Sequence, residues 1–241
     1  MPDTKQTFDS ISKNYDLINQ LISFGLHKKW KSNFINIVNF YGQVIDIATG
    51  TGDIAMEIKK KYPDANLTGY DPSPNMLNIA KKKCIKNDVD FVEGFCEKMP
   101  FNDSSFDFAT ITFGIRNTKS VDNSLIEIKR ILKDDGILMI MEFSKTNNVL
   151  IKNLYHIYLN FIIPFIGSLF GKYDEYKYLA TSIEGFYTKD EMNNILESKN
   201  FSLIKNIEYN FGLVTVYVVK NHTLKVSKIS SWYILTTFFS R

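Results

Sequence analysis

The sequence predicts one α/β domain built around a mostly parallel sheet, and three observations support this fold class. Short apolar runs rich in β-branched residues alternate with segments of helical periodicity through much of the chain. The run Val44 to Ala48 leads through Thr49-Gly50-Thr51-Gly52 into residues with helical spacing, as a strand, a glycine turn and a helix would. The 241 residues suffice for one sizeable core and are too few for two domains of common size. We therefore expect ligands at the carboxyl ends of the strands.

Two helices are predicted ahead of this sheet. Apolar residues recur at helical spacing over residues 8 to 40, with an interruption at Ser23 to His27. We expect residues 1–40 to form a helical cap over the ligand site, although packing against an edge of the sheet would bury the same apolar residues.

The glycine turn predicts a nucleotide-like ligand. Two glycines two positions apart allow a sharp turn and a close approach, and the free N–H groups at the helix start favour an anionic group. Asp53 is expected to cap that helix. The next strand, Ala65 to Tyr70, ends in Asp71, about 20 residues past the turn, where nucleotide-binding α/β folds place an acid on ribose hydroxyls. Ala55 stands where a dinucleotide fingerprint has its third glycine, which argues against a dinucleotide.

The later elements continue the alternation. The pattern predicts helices over Pro72 to Lys83 and Ser124 to Leu132. It predicts strands over Val89 to Glu93, Phe106 to Thr112 and Gly136 to Glu142. Thr188 and Glu191 predict a capping box at the start of a helix over Lys189 to Ser198. A strand pair, Phe201 to Glu208 and Leu213 to Lys220, closes the domain.

The alternation lapses at about residues 145–187, which we predict to be a helical insertion. Leu154 to Phe170 is apolar almost all round, but it is too short and too interrupted by Pro164 and Gly167 for a membrane-spanning helix. Two interpretations remain open. The segment is either a buried core helix or a lid beside a pocket for an apolar substrate, in contact with the bilayer surface.

Composition excludes several classes of protein. The net charge is only +3, with 29 basic residues scattered among 26 acids, so no nucleic-acid-binding surface is predicted. Cys84 and Cys96 lack metal-ligand spacing, which predicts no metal site and a reducing compartment. Residues 1–10 lack a signal-peptide core, so we expect a cytoplasmic protein. The apolar-aromatic tail at 223–241 has no assigned use.

Several segments resemble known methyltransferases. The turn that begins at Asp46 resembles the glycine motif of class I S-adenosylmethionine (SAM) methyltransferases. Other segments resemble the demethylmenaquinone and 2-polyprenyl-6-methoxy-benzoquinol C-methyltransferases of menaquinone and ubiquinone synthesis. These segments are Phe8-Asp9-Ser10, Tyr15-Asp16-Leu17-Ile18-Asn19, Ser23 to Trp30, Met99 to Asp107, Thr112-Phe113-Gly114-Ile115-Arg116-Asn117, Glu142-Phe143-Ser144 and Tyr178 to Ile183. The segment at 112–117 is specific to this family.

The resemblance implies a three-layer, Rossmann-like methyltransferase domain at 41–222, with a mostly parallel seven-stranded sheet whose last strand is antiparallel. It implies SAM as co-substrate and C-methylation of a prenylated quinol; the alternative is methylation of another lipophilic phenol or sterol. It leaves open whether the chain forms a homodimer and whether it contacts the cytoplasmic face of the membrane peripherally. The residues implied to bind SAM are Asp46, Gly50, Thr51, Gly52, Asp71, Phe95, Cys96 and Thr112. At positions 95 and 96 the family usually has Asn or Asp followed by Ala.

Arg116 is the predicted catalytic residue. A quinol carbon attacks a methyl group well only when the neighbouring hydroxyl loses its proton, so a cation that stabilises the phenolate is required. The alternative for Arg116 is a structural ion pair with a neighbour such as Asp122. His27 and Tyr15 are secondary candidates for contact with the quinol head; for each of them, a packed or solvated side chain is the favoured interpretation. Asp46 is expected either to orient the ligand or, as the favoured interpretation, to brace the glycine turn through backbone N–H groups.

Overall fold

The computed structural model describes residues 4–146 and 148–222, and within them it shows a seven-stranded sheet. The predicted tail at 223–241 lies outside the described residues. The strands are β1 (Gln43–Ile47), β2 (Asn66–Asp71), β3 (Val89–Glu93), β4 (Phe106–Thr112), β5 (Leu132–Phe143), β6 (Phe201–Tyr209) and β7 (Val214–Asn221). Their order is β3-β2-β1-β4-β5-β7-β6, and β7 runs antiparallel to both of its neighbours. The predicted fold class, with an antiparallel last strand, is confirmed.

Helices cover both faces of the sheet. The helices are α1 (Thr4–Ile11), α2 (Tyr15–Ile22), α3 (Leu26–Ile35), α4 (Asp53–Lys61), α5 (Pro74–Lys83), α6 (Val121–Ile131), α7 (Val149–Ile157), α8 (Ile163–Ser168), α9 (Tyr173–Gly185) and α10 (Lys189–Ser198). Successive residues of β1 face opposite layers, because successive side chains of a strand point to opposite faces of the sheet. Ile45 is buried against α6 and α10, whereas Val44 is buried against α3 and α4.

A third apolar cluster lies over the carboxyl ends of the strands. It joins Ile18 of α2, Met76 of α5, Leu159 and Ile163 of the insertion, and Tyr176 of α9. The parallel register makes Ile47 level with Tyr70 and with Ile111 on the neighbouring strands. The residues that follow these strands therefore meet at one edge of the sheet, beneath the helices.

Most element boundaries follow the sequence pattern, and the differences have local causes. β3, β4 and α10 begin and end where predicted, and the capping box of Thr188 is present. The first residues form three helices rather than two, because a 3-10 turn at Ser12–Asn14 divides the first helical segment. Helix α6 begins three residues early because the Ser120 hydroxyl accepts a hydrogen bond from the Asn123 N–H and caps it.

The prediction that Pro164 and Gly167 interrupt the insertion is wrong. Val149–Ser168 is one continuous helix of 20 residues, called the apolar helix below, and by length and composition alone it could cross a membrane. A π-helical turn at Tyr158–Ile162 precedes Pro164, where the missing N–H and the proline ring would otherwise disrupt a regular helix. The apolar helix is also not a buried core helix. Its buried residues are Leu159, Ile163, Pro164 and Gly167.

Candidate active site

Two adjoining cavities lie at the carboxyl ends of β1, β2 and β4. The smaller cavity, about 80 Å³, is lined by Gly50, Asp71, Phe95, Cys96 and Thr112, among others. The larger cavity, about 290 Å³, extends from the glycine turn to the helices of the cap and the insertion. The two share Phe8, Tyr15, Ala48, Gly50, Thr112, Phe113 and Asn117. Most predicted site residues therefore surround one continuous space.

Both glycines of the turn have a backbone conformation that favours glycine, and at Gly52 a side chain would also clash. Gly50 and Gly52 have φ values of 56° and 81°, where side chains are disfavoured. A Cβ on Gly52 would also lie 2.9 Å from the Cβ of Ala80. The predicted cap by Asp53 is wrong, because Gly52 occupies the N-cap position and no side chain caps the helix. The Asp53 carboxylate instead binds the ammonium groups of Lys31 and Lys83, at 2.8 and 2.9 Å.

Asp71 is the last residue of β2 and lines the smaller cavity. Its two oxygens accept hydrogen bonds from the backbone N–H groups of Gly50 and Ser73, each at 2.9 Å. Burial raises the pKa of Asp71 to about 6, against the opposing effect of these two hydrogen bonds. Each carboxylate oxygen has a second lone pair. Asp71 is thus held in a fixed orientation and keeps the capacity to accept hydrogen bonds from a pair of hydroxyls.

Asp46 supports the turn from behind, by contacts other than the predicted ones. Its carboxylate accepts hydrogen bonds from the hydroxyls of Thr49 and Thr110, at 2.6 and 2.7 Å, and not from backbone N–H groups. Burial raises its pKa to about 6. In the described part of the chain, the residues that line either cavity do not include Asp46. Its contacts are those of a residue that braces the turn.

Three of the remaining candidates differ in exposure. Phe95 is 38% exposed, and the ammonium of Lys119 lies 4.6 Å from its ring centroid. Cys96 is buried, which raises the pKa of its thiol to about 12 and keeps the thiol neutral. Thr112 stands at the end of β4, where it lines both cavities.

Thr51 is held from two sides. Its hydroxyl donates a hydrogen bond to Asp16 at 2.8 Å and accepts one from Lys83 at 2.9 Å. Lys83 also pairs with Asp16 and with Asp53. The sequence analysis missed this cluster, since Lys83 belongs to a lysine run typical of a solvated helix face. The only available signal for Asp16 was its place in the amino-terminal segment shared with the resembled family.

Arg116 lies in a 3-10 turn after β4 and lines the larger cavity. Its Nη1 donates to the carbonyl oxygen of Phe113 at 2.8 Å and pairs with Glu142 at 2.5 Å, and its Nε donates to Ser182 at 3.4 Å. The ion-pair alternative was right in kind and wrong in partner, because Asp122 pairs with Lys199 instead. Among residues 4–146 and 148–222, Nη2 has no hydrogen-bond partner.

The Arg116–Glu142 pair is almost fully buried. The side chains are 4% and 0% exposed, and Oε2 of Glu142 has no hydrogen-bond partner among the described residues. Burial raises the pKa of Glu142, while the adjacent guanidinium opposes that shift. Removing either charge would leave the other buried and uncompensated. The pair fixes the guanidinium of a residue that lines the larger cavity.

Ten of the described residues that line the larger cavity carry aromatic rings. The rings belong to Phe8, Tyr15, Phe24, Trp30, Phe113, Phe143, Tyr155, Tyr158, Tyr176 and Tyr178. Burial raises the pKa of Tyr15, so its phenol is neutral and available as a hydrogen-bond donor. Burial lowers the pKa of His27 to about 4, and its Nδ1 lies 2.7 Å from the Ser23 hydroxyl. His27 is therefore neutral near pH 7 and a weak base.

The described residues, 4–146 and 148–222, contain no cluster of three His, Cys, Asp or Glu side chains able to hold a metal ion. The cavities instead combine backbone N–H groups, aromatic rings and the carboxylates of Asp53, Asp71, Glu97 and Glu175. This donor set suits an organic ligand with hydroxyls and a planar apolar partner.

Sequence comparison identifies close relatives over nearly the whole chain. Residues 3–220 match the model of the ubiE/COQ5 methyltransferase family. The ubiquinone/menaquinone biosynthesis C-methyltransferase UbiE of Geotalea uraniireducens is 38% identical over 221 residues, which cover 89% of this chain and 94% of the relative. The protein of the same name from Rickettsia felis is 38% identical over 220 residues, covering 87% and 89%.

Solved structures share the fold at lower identity. A SAM-dependent methyltransferase from Thermotoga maritima, described as a possible histamine N-methyltransferase, superimposes with a TM-score of 0.66 at 18% identity. The match covers 90% of this chain and 99% of that chain. At this identity the similarity shows the fold and does not identify the acceptor.

Proposed function

The chain belongs to the ubiE/COQ5 methyltransferase family, and we propose that it methylates a ring carbon of a prenylated quinol with SAM as methyl donor. The family match covers residues 3–220, and the two relatives described above carry the name ubiquinone/menaquinone biosynthesis C-methyltransferase. The single observation that carries the acceptor class is the aromatic cavity beside the glycine turn, with Arg116 in its wall.

The smaller cavity fits the nucleoside part of SAM. Gly50 and Gly52 keep the turn free of side chains, and Asp71 offers two fixed acceptors to a pair of ribose hydroxyls. Phe95 offers a ring face for stacking on the base, and the backbone N–H of Cys96 offers a donor to it. In this proposal, Asp46 and the hydroxyl of Thr51 hold the turn in shape.

SAM, when bound, supplies a methyl group from a sulfonium centre. The residues around the larger cavity align the acceptor, exclude water and stabilise the quinolate oxygen that forms when the quinol hydroxyl loses its proton, which makes the neighbouring ring carbon nucleophilic. Arg116 performs the last task through Nη2, while Glu142 holds the guanidinium in place. Arg116 stays protonated, so it acts as an electrostatic stabiliser and not as the base. Tyr15 and His27 contact the quinol head.

The helices above the sheet complete this proposal. Residues 1–40 act as the cap of the site and the insertion at about 145–187 acts as its lid, since both contribute to the wall of the larger cavity. A prenylated acceptor resides in the lipid bilayer, which favours a peripheral contact of the enzyme with the membrane. A homodimer stays a prediction from the family.

The test is transfer of label from methyl-labelled SAM to short-tailed naphthoquinol and benzoquinol acceptors, with a simple phenol and a sterol as comparison acceptors. We expect a ring-methylated product from at least one quinol, identified by mass spectrometry, and none from the comparison acceptors. Methylation of the sterol or of a phenolic oxygen, without C-methylation of either quinol, would overturn the proposal in favour of the alternative acceptor class.

A further inference from the structure

The apolar helix exposes a continuous apolar stripe. Large apolar side chains recur every third or fourth position on its solvent side, and each is more than half exposed. They are Leu150, Leu154, Ile157, Phe161, Phe165 and, just after the helix, Leu169. This spacing places them on one face. A run of exposed apolar side chains on a water-soluble surface marks a binding surface.

A second, polar stripe runs beside the first. Lys152, His156 and Asn160 are exposed and four positions apart, so they also share one face of the helix. The third face, which includes Leu159 and Ile163, is buried against α2 and α9. The apolar helix thus has a protein face, an apolar face and a polar face, which is the pattern of a helix that lies in a membrane interface.

The cap extends the apolar stripe. The ring of Phe24 is 79% exposed and lies 6.2 Å from that of Tyr158 on the apolar helix. Leu17 and Leu21, one helical turn apart on α2, are 53% and 45% exposed. We call the stripe together with Leu17, Leu21 and Phe24 the apolar surface. Phe24, Tyr155 and Tyr158 also line the larger cavity, so the cavity adjoins this surface.

The two chain segments that form the apolar surface carry basic side chains and no acidic ones, while Glu184 of α9 contacts His156 and Asn160 on the polar stripe. No Asp or Glu occurs between Asp16 and Asp46, or between Glu142 and Asp174, whereas these two segments contain six lysines. Lys28, Lys29 and Lys152 are exposed, and none has an ion pair within residues 4–146 and 148–222. A basic rim around an apolar surface complements a bilayer that carries anionic headgroups.

We propose that the apolar surface docks onto bilayers containing anionic phospholipids, with the apolar helix in the plane of the interface. We further infer that the acceptor enters the larger cavity from this surface; that inference rests on the proposed function, whereas the docking itself does not. A spanning orientation is disfavoured, because it would place His156 and Asn160 in the hydrocarbon and detach the face buried against α9. A second copy is a poorer occupant, because a two-fold contact would bring the same basic rims together.

Vesicle sedimentation of the full chain tests this proposal. We expect the protein to partition onto vesicles of phosphatidylcholine mixed with phosphatidylglycerol, less onto phosphatidylcholine alone, and less again at high salt. Phe161→Ser/Phe165→Ser should lower the partition coefficient by about tenfold or more. The matched control is Ile85→Ser/Ile204→Ser, which removes exposed apolar side chains elsewhere and should leave it unchanged. All variants retain residues 223–241, so any contribution of the tail to vesicle partition is the same in each protein.

Two further measurements separate docking from catalysis. Turnover of a water-soluble, short-tailed quinol without vesicles should be the same in Phe161→Ser/Phe165→Ser and the parent, whereas turnover of a long-tailed quinol in vesicles should fall in the variant. Vesicle binding without methylation of any quinol would refute the proposed function and leave docking intact. Equal partition of variant and parent, or no partition of either, would overturn docking. Loss of a dimer in the variant without vesicle binding would identify a contact between copies instead.

Discussion

The two cavities that meet at the glycine turn are built in different ways. The smaller one is formed by the backbone of a turn and by Asp71, which two backbone N–H groups hold in place. The larger one is lined by aromatic side chains from the cap, the residue after β4, the end of β5, the apolar helix and α9. Backbone positions are fixed by the sheet, whereas rings on separate helices are positioned by packing between those helices.

The difference extends to charge. Near the smaller cavity, two buried carboxylates, Asp46 and Asp71, are satisfied by neutral donors, and burial raises the pKa of both to about 6. Near the larger cavity, the buried charges are opposite and paired, with one oxygen of Glu142 and one nitrogen of Arg116 left without partners in the described part of the chain. The first arrangement is complementary to a bound ligand. In the second arrangement, the unpartnered nitrogen of Arg116 can still stabilise negative charge that develops on the acceptor during the reaction.

The largest expected effect tests that distinction at Arg116. Arg116→Met keeps the apolar stem and should lower kcat by about 10²- to 10³-fold, because an anionic oxygen loses its stabilising donor. The affinity for S-adenosylhomocysteine, measured by calorimetry, should change little, since Arg116 lines the larger cavity and not the smaller one. Arg116→Lys should restore only part of the rate, because a point charge does not reproduce the planar guanidinium.

The control for Arg116→Met addresses the orphaned carboxylate of Glu142. Breaking a buried ion pair by removing one partner costs about 3–5 kcal/mol, whereas replacing both partners with apolar groups is often neutral. Arg116→Met/Glu142→Leu should therefore recover thermal stability without recovering turnover. Recovery of turnover together with stability would show that Arg116 has a structural role alone.

The next effect concerns Asp71 and the smaller cavity. Asp71→Ala should weaken binding of S-adenosylhomocysteine by about 1.5–3 kcal/mol, since hydrogen bonds from two ribose hydroxyls to a charged acceptor are lost. The matched variant Asp71→Asn keeps one acceptor oxygen and the side-chain volume, so its loss should be smaller. Unchanged affinity in a folded Asp71→Ala protein would refute the ribose assignment, and a circular dichroism spectrum would establish folding.

A smaller effect follows from the raised pKa of Asp71. The carboxyl takes up a proton as the pH falls through about 6, and the protonated form has lost acceptor capacity. Affinity for S-adenosylhomocysteine should therefore be constant above that pH and fall below it, by up to tenfold per pH unit for one linked proton. Asp71→Asn should flatten this dependence. A slope that persists in Asp71→Asn would assign the titration to another group.

The residues that line the smaller cavity could be found from the sequence for a structural reason. Gly50, Asp71 and Thr112 each follow a predicted strand within a few residues, and parallel strands bring such positions to one edge of the sheet. The order of the strands along the chain and the family assignment followed from the same local patterns, and both are confirmed, although β5 begins four residues before the predicted Gly136. Only the partners of Asp46 and Asp53 were wrong there, because side-chain hydrogen bonds depend on rotamers that a pattern does not specify.

The larger cavity was less predictable because its contacts join distant segments. Glu142 meets Arg116 across 26 residues, and Thr51 meets Asp16 across 35. Asp122 is nearer to Arg116 in sequence. The paired carboxyl ends of β4 and β5, however, bring Glu142 beside Arg116 instead. The continuity of the apolar helix through Pro164 depends on a π turn, which the local sequence does not specify.

The smallest expected effect concerns Thr112, which lines both cavities and stands on the boundary between them. A neutral hydrogen bond to the methyl donor contributes about 0.5–1.5 kcal/mol, so Thr112→Val should weaken S-adenosylhomocysteine binding by roughly 2- to 10-fold. Thr112→Ser keeps the hydroxyl and should leave the affinity nearly unchanged. The KM for quinol is the decisive second measurement, because a hydroxyl directed into the larger cavity would raise that KM and spare the affinity for S-adenosylhomocysteine. That result would assign the Thr112 hydroxyl to the quinol site in the larger cavity. The division between the two ligand sites would then lie between Thr112 and Asp71.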